Sequence, residues 1–213
     1  MSDLSNRLKI YLLEEGADLV GITSADSFES ALEGCKPTDI LEDARSVITM
    51  AVSVNAAGVE KAKAMAAWRG KVFPLDELAF KASRLLFREG YKAIVVPSAT
   101  HSAFQALKGE ISHKHAAVMS GLGCIGKCSL LVTPRFGTRV ALISVITDAI
   151  LTPDEAFEGD LCGDCSVCID VCPVEGTINE EKKDGYYMIM KAQCVKCYKC
   201  YTSCPVGMDE VGH

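Results

Sequence analysis

Apolar and polar residues follow the periods of helices and strands over the first 150 residues. Apolar side chains recur every three or four positions over 4–15 and Leu75–Arg88, which predicts two amphipathic helices. Unbroken apolar runs predict strands at Ala17–Ile22, Ser46–Val54 and Tyr91–Pro97, the second of them central. Helices alternating with strands indicate an α+β layer domain over residues 1–150.

Shorter segments complete this pattern. Further helices are predicted at Phe28–Leu32, 56–69, Ser102–Lys108 and Ser112–Met119. Pro37 is expected to end the first of these, and Ser112 to cap the last. Two apolar runs around Pro134–Gly137 predict a hairpin of Ser129–Val132 and Arg139–Ile146. The stretch Asp148–Pro153 is the predicted boundary of a second, cysteine-rich domain over residues 151–213.

The cysteines after residue 160 form an internal repeat. Each half reads Cys-x2-Cys-x2-Cys-x3-Cys-Pro, and the second half follows 32 residues after the first, as 194 − 162 and 204 − 172 both give. The first run is Cys162, Cys165, Cys168 and Cys172, and the second is Cys194, Cys197, Cys200 and Cys204. This is the spacing of bacterial ferredoxins, so the sequence predicts two [4Fe–4S] clusters.

In two-cluster ferredoxins the fourth cysteine of each run ligates the other cluster. On that pattern the first cluster takes Cys162, Cys165, Cys168 and Cys204. The second cluster takes Cys194, Cys197, Cys200 and Cys172. Paired Cys-x2-Cys spacings also suit zinc, although a zinc ribbon needs only four cysteines. Disulfides are the other alternative, and they would require an oxidising compartment.

The charge composition limits the classes of partner that the chain is expected to bind. The 213 residues carry 28 acidic and 22 basic side chains, a net charge of −6, which argues against nucleic-acid binding and is compatible with docking to a redox partner protein. The first residues lack the basic and apolar regions of a signal peptide, and no apolar run approaches the ~20 residues that span a bilayer. Eleven cysteines without an export signal predict a cytoplasmic protein that binds metal.

The stretch Gly121–Gly126 fits the pattern G-x-G-x-x-G. A dinucleotide site has a strand before these glycines and a helix after them, whereas here the predicted order is reversed. The favoured interpretation is therefore that the glycines permit a tight turn and a close approach of the backbone.

Several of these residues carry a family resemblance. The chain resembles the epoxyqueuosine reductase family, with reductive dehalogenases as a more distant branch. The stretches that carry the resemblance are Gly121–Lys127, Ser129–Val140, Thr147-Asp148 and the double cysteine run. The resemblance implies a nitroreductase-like fold for residues 1–150 and a ferredoxin-like module after it. It also implies two [4Fe–4S] clusters that pass electrons to a base-off cobalamin, with cofactor contacts at Gly121, Gly123, Gly126 and Lys127.

The chain departs from the family pattern at three places. Cys124 and Cys128 stand where the family usually has Trp and Asn. The family's acid motif, Asp-x-x-Pro-Val-x-Glu, is not present ahead of the glycines, where residues 103–113 read Ala-Phe-Gln-Ala-Leu-Lys-Gly-Glu-Ile-Ser-His. The C-terminal helical repeats that help longer members grip tRNA are not found before His213. We therefore expect a short paralogue with a different substrate.

Three residue types near the glycines are candidates for chemistry. Cys124 and Cys128 are a thiol pair near the clusters, or thiols that face a cofactor, with Cys124 as a candidate catalytic residue. The favoured alternative is that both are small residues that fill the core. Lys127 either contacts an anion or is solvated. His113 and His115 are candidate proton donors, with exposed imidazoles in a first helical turn as the favoured alternative. His101 and Cys35 carry no motif.

Charge differs between the two cysteine runs. Asp160, Asp164 and Asp170 accompany the first run, whereas Lys191, Lys196 and Lys199 accompany the second. Because positive charge stabilises a reduced cluster, the second cluster is predicted to have the higher potential, with electrons entering near the acidic run.

These observations lead to two functional hypotheses. The first is an iron–sulfur oxidoreductase that passes electrons through two clusters to a site in the N-terminal domain, which a cobalamin or a small-molecule substrate would occupy. The second is a non-enzymatic electron carrier or reductive activator that serves a corrinoid partner protein.

Overall fold

The computed structural model describes residues 3–54, 70–98, 110–183 and 186–208. The predicted helices over 56–69 and Ser102–Lys108, together with His101, lie outside the described residues. In the described ranges, no helix is both long enough and apolar enough to cross a membrane.

The described helices are α1 (Leu4–Glu14), α2 (Pro37–Ile40), α3 (Val72–Arg88), α4 (His113–Met119), α5 (Val167–Asp170) and α6 (Lys199–Thr202). The described strands are β1 (Leu19–Ser24), β2 (Ser46–Ser53), β3 (Ala93–Val96), β4 (Cys124–Ile125), β5 (Leu131–Val132), β6 (Val140–Thr147), β7 (Ile178–Lys183) and β8 (Tyr186–Ile189). This mixture confirms the predicted class of helices and sheet. The nitroreductase-like and ferredoxin-like descriptions stay predictions.

The chain divides into two compact units. The first contains Met1–Val52, Lys71–Leu122 and Ala141–Ala156, and the second contains Ser53–Gly70, Gly123–Val140 and Phe157–His213. The predicted boundary after residue 150 is close to the last junction, but the division is not a single cut. The stretch Gly123–Val140 belongs with the cysteine-rich part, because Thr138 and Arg139 donate hydrogen bonds to main-chain carbonyls of residues 201–206.

A four-stranded sheet of order β1-β2-β6-β3 lies in the first unit. β1 runs antiparallel to β2, with Ile22 opposite Ile48, and β3 runs antiparallel to β6, with Val95 opposite Val145. Since β2 lies between β1 and β6, its predicted central place is confirmed. Seven of its eight residues are buried, which accounts for the unbroken apolar run in the sequence.

The two long predicted helices are confirmed. α1 packs on β1, α3 packs on β3, and the two helices pack on each other. α3 begins at Val72, and Pro74 lies in its first turn, where a missing N–H costs no helical hydrogen bond. The predicted apolar side of α3 is buried, at Leu75, Leu78, Ala79, Ala82 and Leu86. Gly90, with φ of +91°, ends the helix as predicted.

Three local predictions are wrong. Phe28–Leu32 is not a helix: a 3-10 turn covers Ala25–Phe28, and Phe28 packs in a core cluster with Val47 and Ile146. Pro37 begins α2 and does not end a helix, because proline suits the first helical position. The predicted hairpin forms only at its turn, where Thr133 and Gly137 make an antiparallel bridge, and its two strands pair elsewhere. β5 pairs with β4, whereas β6 joins the four-stranded sheet.

The second unit is built from short elements. β4 pairs antiparallel with β5, with Cys124 opposite Val132. β7 pairs antiparallel with β8, a hairpin that the Glu- and Lys-rich sequence of β7 did not predict. α5 and α6 pack on each other. Each of these two helices carries the third cysteine of its run, Cys168 or Cys200.

Candidate functional site

All eight predicted cluster ligands lie in the second unit. Cys204 is buried, and the other seven are partly exposed. No disulfide joins any of the eleven cysteines, all of which fall in the described ranges. Within those ranges, no three Cys, His, Asp or Glu side chains come close enough together to hold a single metal ion. A [4Fe–4S] cubane separates its four thiolates more widely than one zinc ion does.

Residues of both cysteine runs share one apolar cluster. Cys162 of the first run and Cys204 of the second pack in the same apolar cluster, together with Cys124 and Val132. The two cysteines are 42 residues apart in sequence, as 204 − 162 gives. This shared packing is compatible with the crossed ligand assignment, which stays a prediction for all eight cysteines.

Arg139 places a buried positive charge beside Cys204. The residue is 1% exposed, and its guanidinium donates to the carbonyl oxygens of Cys204 at 2.6 Å and Val206 at 2.7 Å. No carboxylate of the described residues pairs with it, and its Nε has no hydrogen-bond partner there. Burial lowers the pKa of Arg139, and Cys204 acts in the opposite direction. Because a buried cation without a counter-ion is costly, this position suits a bound anionic group such as a cluster ligated by Cys204.

The glycine stretch packs directly against Cys162. A Cβ at Gly126 would lie 3.1 Å from the Cys162 sulfur and 2.5 Å from Cγ2 of Val132. Burial raises the pKa of Cys162 to about 11, while the backbone N–H of Lys127 donates to its sulfur and opposes the rise. The Lys127 residue is only 3% exposed, so the interpretation of Lys127 as a solvated lysine is wrong.

The other two glycines also face protein atoms. A Cβ at Gly121, whose φ is +79°, would lie 2.7 Å from the carbonyl oxygen of Glu155. A Cβ at Gly123 would lie 2.1 Å from the carbonyl oxygen of Val132. The close backbone approach inferred from the sequence accounts for both. The space that a side chain would occupy at these glycines is filled by protein atoms, so backbone packing alone explains the glycines. The predicted cofactor contacts at Gly121, Gly123, Gly126 and Lys127 stay predictions.

Cys124 and Cys128 lie beside the predicted cluster ligands. Both are buried, and the Cys124 sulfur accepts a hydrogen bond from the Leu161 N–H at 3.4 Å. The Cys128 thiol makes hydrogen bonds with the sulfurs of Cys168 and Cys200. These bonds lower the pKa of Cys168 to about 7, lower the pKa of Cys200, and raise the pKa of Cys128. The two thiols therefore fill core positions and also contact residues of the cluster module.

The two candidate histidines lie on α4 in the first unit. His113 is fixed at both ring nitrogens: Nε2 is 3.1 Å from the carbonyl oxygen of Pro97, and Nδ1 is 2.8 Å from Oγ of Ser144. A carbonyl only accepts, so Nε2 carries the proton, and burial lowers the pKa of His113. The interpretation of His113 as an exposed imidazole is wrong. His115 pairs through Nδ1 with Ser112, which precedes α4 as predicted but forms no side-chain cap.

Sequence reasoning missed the role of Asp160 and its neighbours. The Asp160 carboxylate accepts hydrogen bonds from the Cys162 N–H at 2.9 Å, the Tyr187 hydroxyl at 2.8 Å and Lys182 at 3.1 Å. Burial acts to raise its pKa, but these bonds outweigh it and the pKa is lowered. Asp160 thus orders the start of the first run. The sequence shows an aspartate two residues before Cys162. It does not predict the β7–β8 hairpin, which supplies Lys182 and Tyr187 as the hydrogen-bond donors to that aspartate.

Comparison with known proteins gives one consistent relationship. No family model matches the chain. The epoxyqueuosine reductase of Bacillus anthracis is 32% identical over 124 residues, which cover 49% of this chain and 32% of the relative. That of Bacillus subtilis is 26% identical over 256 residues, which cover 99% of this chain and 65% of the relative. The match thus spans about a third of the first relative's length and somewhat under two thirds of the second's.

Solved structures show the same fold. Epoxyqueuosine reductase from Bacillus subtilis, with its catalytic aspartate loop swung out of the active site, gives a TM-score of 0.70 at 20% identity, over 99% of this chain and 67% of that one. A catabolic reductive dehalogenase in complex with 3-bromo-4-hydroxybenzoic acid gives a TM-score of 0.74 at 22% identity. The match covers 95% of this chain and 31% of the dehalogenase chain. The predicted resemblance is therefore confirmed: the chain is a relative of the epoxyqueuosine reductases, and it shares its fold with them and with the reductive dehalogenases.

Proposed function

We propose that the chain is an iron–sulfur oxidoreductase whose two [4Fe–4S] clusters supply one-electron transfer toward a site in the N-terminal domain. The residues that would hold the clusters are the crossed sets, Cys162, Cys165, Cys168 and Cys204, and Cys194, Cys197, Cys200 and Cys172. The related proteins are named as reductases, which supports a redox role.

The environment of Arg139 is the observation that carries this proposal. A guanidinium that is 1% exposed, lacks a carboxylate among the described residues and bonds to the carbonyl of Cys204 needs an anion nearby. A cubane with four thiolate ligands is anionic in its common oxidation states and more so after reduction. Arg139 would therefore stabilise both the bound cluster and its reduced form.

Burial changes the expected order of the two potentials. Asp164, Asp170 and Lys199 are exposed, so water screens their charges. The Coulomb energy of two unit charges ~4 Å apart is about 1 kcal/mol in water. It rises to about 4 kcal/mol where the effective dielectric constant is ~20. Arg139 and Lys127 are buried and lie beside ligands of the first cluster set. We infer that these two cations give the first cluster the higher potential, which reverses the order predicted from the charge contrast alone.

The partner that this arrangement suits is an acidic electron carrier that docks at the second run. Met190 and Val195 are 51% and 56% exposed, and the intervening Lys191 is exposed with them. Lys199 adds a further exposed cation at the start of α6. Apolar side chains beside basic ones on a protein of net charge −6 complement a carrier with an acidic rim around an apolar centre. We name Met190–Lys199 the second-run face.

One observation favours the alternative of a carrier or reductive activator for a corrinoid partner. The positions predicted to contact a corrinoid, Gly121, Gly123, Gly126 and Lys127, are packed against protein atoms. Titration of the anaerobic protein with cobalamin, followed by absorption, separates the two hypotheses. Stoichiometric binding supports an internal corrinoid site, whereas no binding together with reduction of an added corrinoid protein supports the activator.

The redox proposal itself is tested by EPR-monitored potentiometry of the anaerobically prepared protein. We expect two S = 1/2 signals on reduction, which integrate to about two spins per chain because each cluster accepts one electron. A protein that shows no EPR signal after reduction and contains stoichiometric zinc would refute the proposal.

A further inference from the structure

Three phenylalanines on the outer side of α3 are exposed to solvent and form one stripe. Phe73, Phe80 and Phe87 are 77%, 57% and 79% exposed. They are seven residues apart, as 80 − 73 and 87 − 80 both give, and seven residues are close to two helical turns. Single exposed apolar residues are ordinary on a protein surface, whereas an aligned row of aromatic rings is typical of an interaction surface.

Charged residues accompany this phenylalanine stripe in a fixed order. Glu77 precedes Phe80 by three residues and Arg84 follows it by four, which are the spacings of neighbours on a helical surface. The guanidinium of Arg84 lies over the Phe80 ring, 5.8 Å from its centroid, so this cation lies beside the stripe. Glu77 pairs with Lys81 within α3, and its side chain is still 50% exposed. The stripe therefore has an exposed anion in its N-terminal half and an exposed cation in its C-terminal half.

This arrangement is complementary to itself when two copies of α3 lie antiparallel. A two-fold axis at Phe80 places Phe73 opposite Phe87 of the other copy, because both are seven residues from the axis. The same axis brings Glu77 level with Arg84 of the other copy to within one residue, since they are three and four residues from Phe80. In a parallel pair, Glu77 would instead face Glu77 and Arg84 would face Arg84.

The exposed area of the stripe is sufficient for a specific, reversible dimer. A phenylalanine side chain buries about 150–250 Å², so the exposed parts of six rings from two copies would bury on the order of 900 Å². The flanking charged side chains bring the total to about 1,000 Å², which is the lower end of the range for specific interfaces. The aromatic rings would form the core of this interface and the charged residues its rim.

We propose that the phenylalanine stripe is the interface of a homodimer in which α3 packs antiparallel against α3 of a second copy of this chain. The order of the charges favours a second copy over a different protein, because only self-association requires the stripe to complement itself. The inference goes beyond the proposed redox function and does not depend on it, since α3 lies in the first unit, apart from the cysteine runs.

Sedimentation velocity of the full chain tests the dimer, in anaerobic buffer with a reductant that prevents intermolecular disulfides. We expect a reversible dimer with a dissociation constant on the order of 10 μM. Phe80→Glu places two carboxylates at the two-fold axis and should raise this constant at least about thirtyfold. Leu32→Glu makes the same kind of change at a 72% exposed position outside α3 and should leave it within about twofold.

Charge reversal tests the antiparallel orientation. Glu77→Arg alone and Arg84→Glu alone each place like charges opposite each other, and each should weaken the dimer about five- to tenfold. The double variant restores opposite charges and should dimerise within about threefold of wild type. In a parallel dimer each single change exchanges one like-charge pair for another, so the dissociation constant would hardly move.

Three results would overturn the inference. The first is a wild-type chain that stays monomeric well above the expected dissociation constant, in which case a different protein or segment covers the stripe. The second is a Phe80→Glu variant that dimerises as well as wild type, which would place the dimer interface elsewhere. The third is a charge-reversed double variant that dimerises no more tightly than the two single variants.

Discussion

At the scale of single residues, burial determines how strongly each charged side chain interacts with its surroundings in this protein. Arg139 and Lys127 are almost fully buried, whereas Asp164, Asp170 and Lys199 are exposed. The effective dielectric around a buried group is several times lower than in water, so each buried charge acts over a longer distance and with more energy. The two buried cations would therefore dominate the electrostatics of the proposed first cluster, although the sequence around its cysteines is acidic.

Arg139 gives the first prediction. Arg139→Met should lower the potential of the first cluster by on the order of 60 mV, which is a tenfold change in a one-electron equilibrium. Arg139→Lys keeps the charge and is the matched control, with an expected loss of less than half of that. EPR potentiometry measures both. Equal potentials in wild type and Arg139→Met would show that the guanidinium has only a structural role.

His113 gives a prediction about pH and stability. Burial lowers its pKa in the folded chain, whereas the unfolded chain titrates near the ordinary value of about 6.5. Below that pH the unfolded state binds a proton that the folded state does not, so the free energy of unfolding should fall as pH decreases from about 7 to 5. His113→Gln removes this titration and retains a donor for the carbonyl of Pro97.

Urea unfolding at several pH values tests this linkage. We expect His113→Gln to be destabilised by about 1 kcal/mol at pH 7.5, because the hydrogen bonds to Pro97 and Ser144 are altered. We expect the variant to lose less stability than wild type between pH 7 and 5. An unchanged pH dependence in the variant would contradict the account of His113.

At the scale of elements, the second unit depends on contacts that bring distant segments together. The third cysteines are carried by α5 and α6, which pack on each other, and Cys204 packs with Cys162 across the repeat. The segment before β6 is fixed by hydrogen bonds from Thr138 and Arg139 to the chain around Cys204. The proposed cluster sites would therefore each be assembled from both halves of the repeat.

The crossed ligand sets can be tested with two matched double variants. Cys162→Ser with Cys204→Ser removes two ligands of one cluster, so about four irons should remain per chain. Cys162→Ser with Cys172→Ser removes one ligand from each cluster, so the iron content should fall close to zero. Iron analysis of the anaerobically purified proteins separates these outcomes. The opposite result for the two variants would establish that each run ligates its own cluster.

The second-run face gives a prediction about the electron donor. Lys191→Glu with Lys199→Glu should slow reduction by an acidic carrier, such as a flavodoxin, by about tenfold or more at low ionic strength. Arg84→Glu with Arg88→Glu on α3 makes the same change in net charge and should have less than a threefold effect. Stopped-flow reduction rates at several salt concentrations measure this. Equal slowing by both pairs would contradict a specific docking face.

At the scale of the whole molecule, the sequence predicted what depends on local period and spacing. Patterns within single short segments predicted the strands β1, β2 and β3 and the helices α1, α3 and α4. The cysteine repeat is likewise visible from local spacing. It did not predict the pairing of β5 with β4 or the assignment of Gly123–Val140 to the second unit, because contacts distant in sequence decide both. Arg139 could have been suspected, since it is a lone charge at the start of an apolar strand.

The iron and acid-labile sulfide content of the protein purified without oxygen tests the central claim most directly. Two [4Fe–4S] clusters predict about eight irons and eight sulfides per chain. About half of the iron should remain when Cys162 and Cys204 are replaced together, and almost none when Cys162 and Cys172 are. Fewer than about four irons per chain, no sulfide and stoichiometric zinc bound by the same cysteines would contradict it.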